Sequence, residues 1–448
     1  MILLRFTVRN HKSIRDETTI DLTRSSLKTL QPRDGDWASA TYPLAGIFGG
    51  NATGKSAILD AMLYAFSAIR SSSTVWQQER AMPRAPFALD SGSRAASSRY
   101  EFDLVHESRR YQYGFEVGQA GVVAEWLRDI PSTRWRRLLD RDRETGSLYF
   151  HQSLGGRIAV SARELVLSRA LTLGDEHLGI FAARLGEQFD IVQVKDSHRE
   201  ARLASIADSL ADGDITFPDL EALLRVADIG IAKVELEESK IPGRILSVLQ
   251  RAMYDLNQPS DDEKSLEQGA SDVDRQEDLE EGERELVVRH MLFTHQAVGA
   301  DNPRFSLGEE SDGTIAWLAL AVPALERLRR GGLLLVDEID ASLHPHLVDL
   351  LLGVFADSDI NTRHAQMVFT SHESYVLSPL SDVHLEPEQI WFTDKTYDGA
   401  TELACLEDFP KHPDANVAKR YLTGRYGGIP RLSPSTFAGL VQAGEGER

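Results

Sequence analysis

Residues Gly49-Gly50-Asn51-Ala52-Thr53-Gly54-Lys55-Ser56 form a glycine-framed turn between an apolar run, Leu44 to Phe48, and a helical pattern running from Ser56 to about Ile69. That arrangement leaves few folds open. Successive backbone N–H groups can wrap a triphosphate only where no Cβ intrudes, which explains the glycines. Lys55 then neutralises β- and γ-phosphate charge, and the Ser56 hydroxyl is placed to ligate Mg2+. The following helix points its positive dipole end at the same phosphates. The whole stretch from Gly49 to Ser56 is therefore expected to bind a nucleoside triphosphate.

A second chemical cluster lies near the other end of the chain. Leu333-Leu334-Leu335-Val336 is a continuous apolar run, the signature of a parallel strand buried on both faces. Asp337 and Glu338 follow it directly. An acid at the carboxyl end of such a strand can complete the shell of Mg2+. Its neighbour can polarise an attacking water as general base. Gln366 to Thr370 reads as the next strand, with Leu347 to Ala356 as the helix between. His372 follows that strand, where an imidazole can stabilise γ-phosphate charge. Upstream, Ser311-Asp312-Gly313-Thr314 opens an apolar helix (Ile315 to Leu328, bent at Pro323) and offers a second anion site at Ser311, Gly313 and Thr314. One centre has little use for two such turns, so a second protomer is its expected customer.

Between these clusters the pattern changes twice. Leu4, Phe6 and Val8 alternate with polar residues, as do Tyr100, Phe102 and Leu104, then Tyr111, Tyr113, Phe115 and Val117. These predict an antiparallel layer, extended by a strand pair over Val122–Leu127 and Trp135–Leu139. From Ser161 onward the spacing turns helical, over Ala162–Leu171, Ile180–Phe189, Arg202–Leu210, Leu220–Val226 and Ile245–Leu256. The formal charge of −20 opposes a general nucleic-acid coat. Half of it sits between Asp255 and Glu285, where thirteen Asp/Glu face three Lys/Arg, and this segment reads as a mobile loop. A single cysteine, Cys405, rules out a disulfide scaffold and suits a reducing cytoplasm. No apolar run approaches a membrane span, so a membrane partner is not expected.

The order of these motifs resembles the ABC-type ATPase heads of the SMC, RecF and OLD lineage. It is closer still to bacterial "AAA family ATPase" proteins of the RloA/AbiL abortive-infection type. Phe6-Thr-Val-Arg-Asn-His-Lys-Ser-Ile14 is similar to that group's opening strand and "N-F-x-S" turn, with His11 replacing the usual aromatic. Gln389-Ile-Trp-Phe-Thr-Asp394 and Lys419-Arg-Tyr-Leu-Thr-Gly-Arg-Tyr-Gly-Gly-Ile-Pro430 resemble its C-terminal signatures. Asp340-Ala-Ser-Leu-His-Pro345 resembles the OLD-like "D-x-x-L-H-P" form, with His344 where many ABC heads carry a further Asp.

The resemblance implies an α/β, ABC/SMC-like P-loop ATPase head with a mixed β-sheet core, an antiparallel β layer and an inserted helical region. The expected division is an N-terminal lobe over 1–160, a helical insertion over 161–300 with its acidic loop at 255–285, and a C-terminal lobe over 301–448. It also implies ATP and Mg2+ as cofactors and pairing of heads, with Lys55, Glu338 and His372 acting on ATP held across two protomers. Assembly into a dimer or higher homo-oligomer would then control an effector, a nuclease encoded nearby, in antiphage defence. The alternative is a DNA-repair or DNA-end-handling ATPase that binds nucleic acid directly, with Arg128, Arg134, Arg136, Arg137, Arg141 and Arg143 around Trp135 as its basic strip. A self-contained nuclease is disfavoured, since only 76 residues follow His372. A transporter motor is disfavoured because Ser-Asp-Gly-Thr lacks the LSGGQ form. His344 and His346 lack a third ligand for a metal site. For the glutamine that links nucleotide to the insertion, Gln77 and Gln78 are candidates.

Overall fold

The computed structural model describes residues 1–193, 196–213, 215–227, 230–242, 285–295, 303–410 and 416–428. In chain order the first strands are β1 (Ile2–Arg9), β2 (Thr18–Asp21), β3 (Leu44–Phe48), β4 (Ser98–His106) and β5 (Arg109–Gly118). Then come β6 (Gly121–Asp129), β7 (Arg136–Asp142), β8 (Ser147–Phe150) and β9 (Phe189–Val192). The later ones are β10 (Ile231–Pro242), β11 (Glu285–His295), β12 (Arg304–Ser306), β13 (Leu333–Val336), β14 (Gln366–Ser371), β15 (Ile390–Lys395) and β16 (Thr401–Cys405). The helices are α1 (Lys55–Ser71), α2 (Val75–Gln78), α3 (Ser91–Ala95), α4 (Val166–Leu173) and α5 (Leu178–Glu187). They continue with α6 (Asp196–Asp212), α7 (Phe217–Val226), α8 (Asp312–Arg330), α9 (Pro345–Ala356) and α10 (Val417–Leu422).

The chain divides into two compact units, Met1–Lys195 with Pro323–Arg448, and Asp196–Val322. In the first unit a six-stranded sheet has the order β16-β15-β3-β14-β13-β9. All its pairings are parallel except β15 with β16. Every residue of β3, β13 and β14 is buried, the reason β3 and β13 read as unbroken apolar runs, while Gln366, Thr370 and Ser371 of β14 are buried with hydrogen-bond partners. One strand, β14, separates the strand that feeds the glycine turn from the strand that ends in Asp337. All three therefore deliver their carboxyl ends to one edge.

A seven-stranded antiparallel sheet, ordered β2-β1-β4-β5-β6-β7-β8, forms the other layer of this unit. Its inner side shares one hydrophobic core with α1, α4, α5 and the central sheet. Phe66 of α1 marks the junction: its ring lies 4.6 Å from Phe102 of β4 and 3.9 Å from Phe189 of β9. The buried amide of Gln366 ties the layers by polar contacts, accepting from Leu3 N (2.6 Å) and donating to the carbonyls of Leu3 (2.9 Å) and Tyr42 (3.1 Å). The simple alternation expected for β1 is broken. Its register against β4 slips between Leu3 and Arg5, so Leu3 joins Phe6 and Val8 in the main core while Leu4 packs separately with Trp37 and Val105.

The second unit holds α6, α7 and a three-stranded sheet β10-β11-β12 over a core of Leu203, Leu220, Leu224, Val234, Phe293, Leu318 and Val322. The region expected to be helical thus contains strands. In β10 the register shifts between Ile231 and Lys233, so Ile231 and Val234, three apart in sequence, are both buried. The helices expected at 162–171 and 180–189 belong to the first unit, and Phe189 opens a strand of its central sheet. The helix expected over Ile245–Leu256, the acidic segment up to its last residue Glu285, and Ile429 and Pro430 of the C-terminal signature lie outside the described residues. Among the described residues no helix is long and apolar enough to cross a membrane.

Candidate nucleotide-binding site

The turn from Gly49 to Ser56 connects β3 to α1 in the first unit. Gly54 stands at the helix N-cap with φ 105° and in contact range of the Thr401 and Ser13 hydroxyls, where any Cβ would collide. Ala52 also takes a left-handed conformation, φ 64°. Lys55 is buried, and its Nζ donates to the carbonyls of Gly49 (2.7 Å) and Gly50 (3.0 Å). Burial pushes its ammonium below the usual lysine value, opposed by the negative charges of Glu338, Asp340 and Asp337. A cation held in this way can exchange its carbonyl contacts for phosphate oxygens.

Of the two predicted acid positions, Asp337 meets the loop directly, at the Ser56 hydroxyl. Ser56 Oγ donates to Asp337 Oδ1 at 2.9 Å, and Thr370 Oγ1 of β14 donates to the same oxygen at 2.6 Å. The Thr370 hydroxyl in turn accepts from the backbone N–H of Glu338 at 2.7 Å. Glu338 itself is exposed and held at φ 54°, a strained conformation for a side-chain-bearing residue. An oxygen pair from Ser56 and Asp337 is the hard donor set that Mg2+ prefers, with the remaining positions left to water and phosphate. Sequence reasoning assigned Thr370 no role; its hydroxyl joins the two acids.

The outer wall of the loop comes from far along the chain. Thr53 Oγ1 lies 2.7 Å from Thr393 Oγ1 of β15, and Thr401 Oγ1 of β16 donates to Thr53 O at 2.9 Å. Thr401 also reaches Ser13, backbone to backbone at 2.7 Å and hydroxyl to hydroxyl at 2.8 Å. After α10, Gly428 (φ 69°) accepts a hydrogen bond from Gly50 N through its carbonyl. A Cβ on Gly428 would stand 2.6 Å from Thr393 O and 3.2 Å from Gly49 Cα. Tyr421 of α10 is buried, and burial pushes its phenol upward, an effect the Gly49 backbone opposes. The two C-terminal stretches that resemble family signatures are thus the supports of the phosphate loop.

His372 follows β14 and is half-exposed, its Nδ1 3.2 Å from Asp340 Oδ2. Ser311, Gly313 and Thr314 belong to the second unit, at the start of α8. There Ser311 Oγ accepts from Thr314 N at 3.1 Å and lies 2.9 Å from Thr314 Oγ1. Just before them Glu310 pairs with His295 Nε2 at 2.7 Å.

Three other candidates find structural explanations. Of the six arginines, Arg136 grips the fully buried Asp129 through two bonds (2.9 and 2.6 Å), and Arg141 donates to the carbonyls of Glu164 and Ser161 (both 2.7 Å). Arg137 pairs with Asp140 at 3.5 Å and covers the Tyr149 ring. Those three are committed to contacts within the first unit, leaving a thinner strip for a nucleic-acid backbone. His344 caps α9, accepting from His346 N at 3.3 Å, so the His-Pro-His run starts a helix. Gln77 and Gln78 are exposed on α2, where Gln77 donates to Ser161 Oγ at 3.1 Å.

The chain matches the family model described as "AAA domain, putative AbiEii toxin, Type IV TA system" over residues 44–378, more than half of its length. No curated protein matches its sequence. Among solved structures, an SMC head domain from Thermotoga maritima aligns at 12% identity over 90% of this chain and 99% of that one, with a TM-score of 0.39. An Smc head bound to the C-winged helix domain of ScpA aligns at 14% identity over 90% and 97%, with a TM-score of 0.41. An Smc head with an extended coiled coil bound to the C-terminal domain of ScpA, from Pyrococcus furiosus, aligns at 12% identity over 90% and 96%, with a TM-score of 0.39. This chain belongs to the AAA-domain family that the model over residues 44–378 describes.

Proposed function

We propose that the chain is a cytoplasmic ATP-binding and hydrolysing ATPase of the ABC type, in which ATP-driven pairing or higher assembly of identical heads regulates a partner effector. The observation that carries this reading is the hydroxyl-linked row of Ser56, Asp337, Thr370 and Glu338 beside Lys55. It supports a reading with a cation for phosphate at Lys55, an oxygen pair for Mg2+ at Ser56 and Asp337, and a carboxylate to spare at Glu338.

In this reading the N–H groups from Gly49 to Ser56 and the Lys55 ammonium hold the β- and γ-phosphates. Ser56 and Asp337 would hold Mg2+, which when bound supplies charge neutralisation and orients the phosphate oxygens. Glu338 accepts the proton of the attacking water, and His372 donates to the oxygens that gain charge. Ser311, Gly313 and Thr314 of a second copy close over the γ-phosphate, so each chain supplies part of two pockets. A nuclease effector in antiphage defence is the regulated partner; the words "putative AbiEii toxin" in the family description and the resemblance of the C-terminal signatures support it.

Turnover per mole should then rise with protein concentration. Mixing Gly313→Arg with Lys55→Ala should recover part of the activity that each lacks alone, because mixed pairs assemble one intact pocket. A rate per mole indifferent to dilution, with no recovery at any mixing ratio, would sink the shared-site reading. Co-purification with the product of the neighbouring gene, followed by a nuclease assay with and without ATP, tests the effector.

A further inference from the structure

We infer that Asp340 is a positioning residue for His372, so that the two act as one unit in turnover. This deepens the reading of the site as an ATPase and rests on it. Asp340 stands two residues beyond Glu338, on the loop that leaves β13, while His372 leaves the end of the neighbouring β14. One carboxylate oxygen, Oδ2, lies 3.2 Å from His372 Nδ1 and accepts the Glu373 backbone N–H, also at 3.2 Å. Ile339 N donates to Thr370 O at 3.0 Å and fixes the spacing of the two loops from the other side. The acid-bearing loop and the imidazole-bearing loop are therefore latched together through Asp340.

The chemistry of the latch is directional. A carboxylate only accepts, so Oδ2 at 3.2 Å favours the ring form that carries a proton on Nδ1. Nε2, on the far side of the ring, is left for a phosphate oxygen or a water, and the ring cannot turn without losing its partner. Asp340, His372 and exposed Glu373 bring donor atoms within 4.8 Å of one another. Because Oδ2 already serves Nδ1 and the Glu373 N–H, orientation accounts for the cluster without a chelated ion.

Stability does not explain why an acid stands here. Asp340 Oδ1 is buried without a hydrogen-bond partner among the described residues, an arrangement that costs the fold. A purely structural role toward the Glu373 N–H would be served as well by Asn, whose amide oxygen still accepts, although the negative charge facing Lys55 would be lost. A positioning role would not, because an amide can face Nδ1 with its oxygen or its nitrogen and so accepts either tautomer.

The test is a double-mutant cycle on full-length protein with ATP and Mg2+, reading Tm, ATP Kd and kcat for Asp340→Asn, His372→Ala and the pair. Asp340→Asn should keep Tm and leave Kd within about twofold, while kcat falls about tenfold or more, the scale seen when an outer partner of a working histidine is removed. His372→Ala should lose at least as much, and the double variant no more than His372→Ala alone. Asp340→Glu, which keeps an acceptor-only group, should regain part of the rate. Multiplying losses in the double variant, a wild-type rate for Asp340→Asn, or Glu performing no better than Asn would each overturn the positioning role. A wild-type protein that does not hydrolyse ATP would overturn the ATPase reading, and this inference with it.

Discussion

The two turns that we propose to face the nucleotide are built on opposite principles. The loop from Gly49 to Ser56 is held by atoms hundreds of residues away: Thr393, Thr401 and Gly428 outside it, Asp337 inside it. The turn from Ser311 to Thr314 is held by its neighbours. Ser311 caps Thr314 N, Ser306 and Glu309 form a capping box, and Glu310 pairs with His295, fifteen residues away. The first turn exists in its binding shape only when the central sheet has closed around it. The second is a local device that its own unit can form. That contrast fits a site whose grip on the nucleotide is preorganised within one chain while its lid is supplied from elsewhere.

The largest effects should come from separating grip from chemistry inside the first turn. Lys55→Ala removes the buried cation proposed to hold the phosphates and should abolish ATP binding in equilibrium titration. Glu338→Gln removes only the proton acceptor, so ATP should still bind while turnover falls at least about a hundredfold, the range typical of a lost general base. Assembled heads should then accumulate on a sizing column when ATP is present. Hydrolysis by Glu338→Gln at the wild-type rate would remove Glu338 from the role of base and shift attention to the neighbouring acid, Asp340.

The same contrast explains which parts were legible in sequence. Contiguous features were: the glycine turn, the buried runs of β3 and β13, Asp337-Glu338, and the alternation of β4 and β5 all matched elements of the structure. Features written across the fold were not. Thr393 and Gly428 lie in stretches marked in sequence only by resemblance, and Thr401 in none; their contact with the loop appears only when β15, β16 and the turn after α10 reach it, and Asp340 has no visible partner until two strand ends meet. Local irregularity hid the rest. Bulges in β1 and β10 moved Leu4 to the opposite side and left Ile231 and Val234, three apart in sequence, both buried.

A smaller and sharper test falls on the remote wall. Gly428→Ala places a Cβ 2.6 Å from Thr393 O and 3.2 Å from Gly49 Cα, at a φ of 69°. Relieving that contact must move the C-terminal turn or the loop. ATP affinity should weaken about tenfold, or about 1.4 kcal/mol. Gly35→Ala is the control, since Gly35 shares the positive φ (76°) but has nothing within 4 Å of its Cβ position. If both variants bind ATP alike, the C-terminal turn is a bystander and the long-range character of the loop is overstated.

The smallest effect should come from Ser311→Ala. It deletes the side-chain acceptor for Thr314 N at the start of α8, a loss of about 1 kcal/mol of helix-cap stabilisation. In a chain of this size that lowers Tm by at most a few degrees. ATP affinity measured at concentrations too low for assembly should not change if, as proposed, the turn serves only a neighbouring chain. Turnover at high concentration should fall, since the hydroxyl is then missing from the lid over a neighbour's γ-phosphate. A loss of ATP affinity in dilute, unassembled protein would mean that the two turns serve one pocket within a single chain, and the division between preorganised grip and borrowed lid would fail.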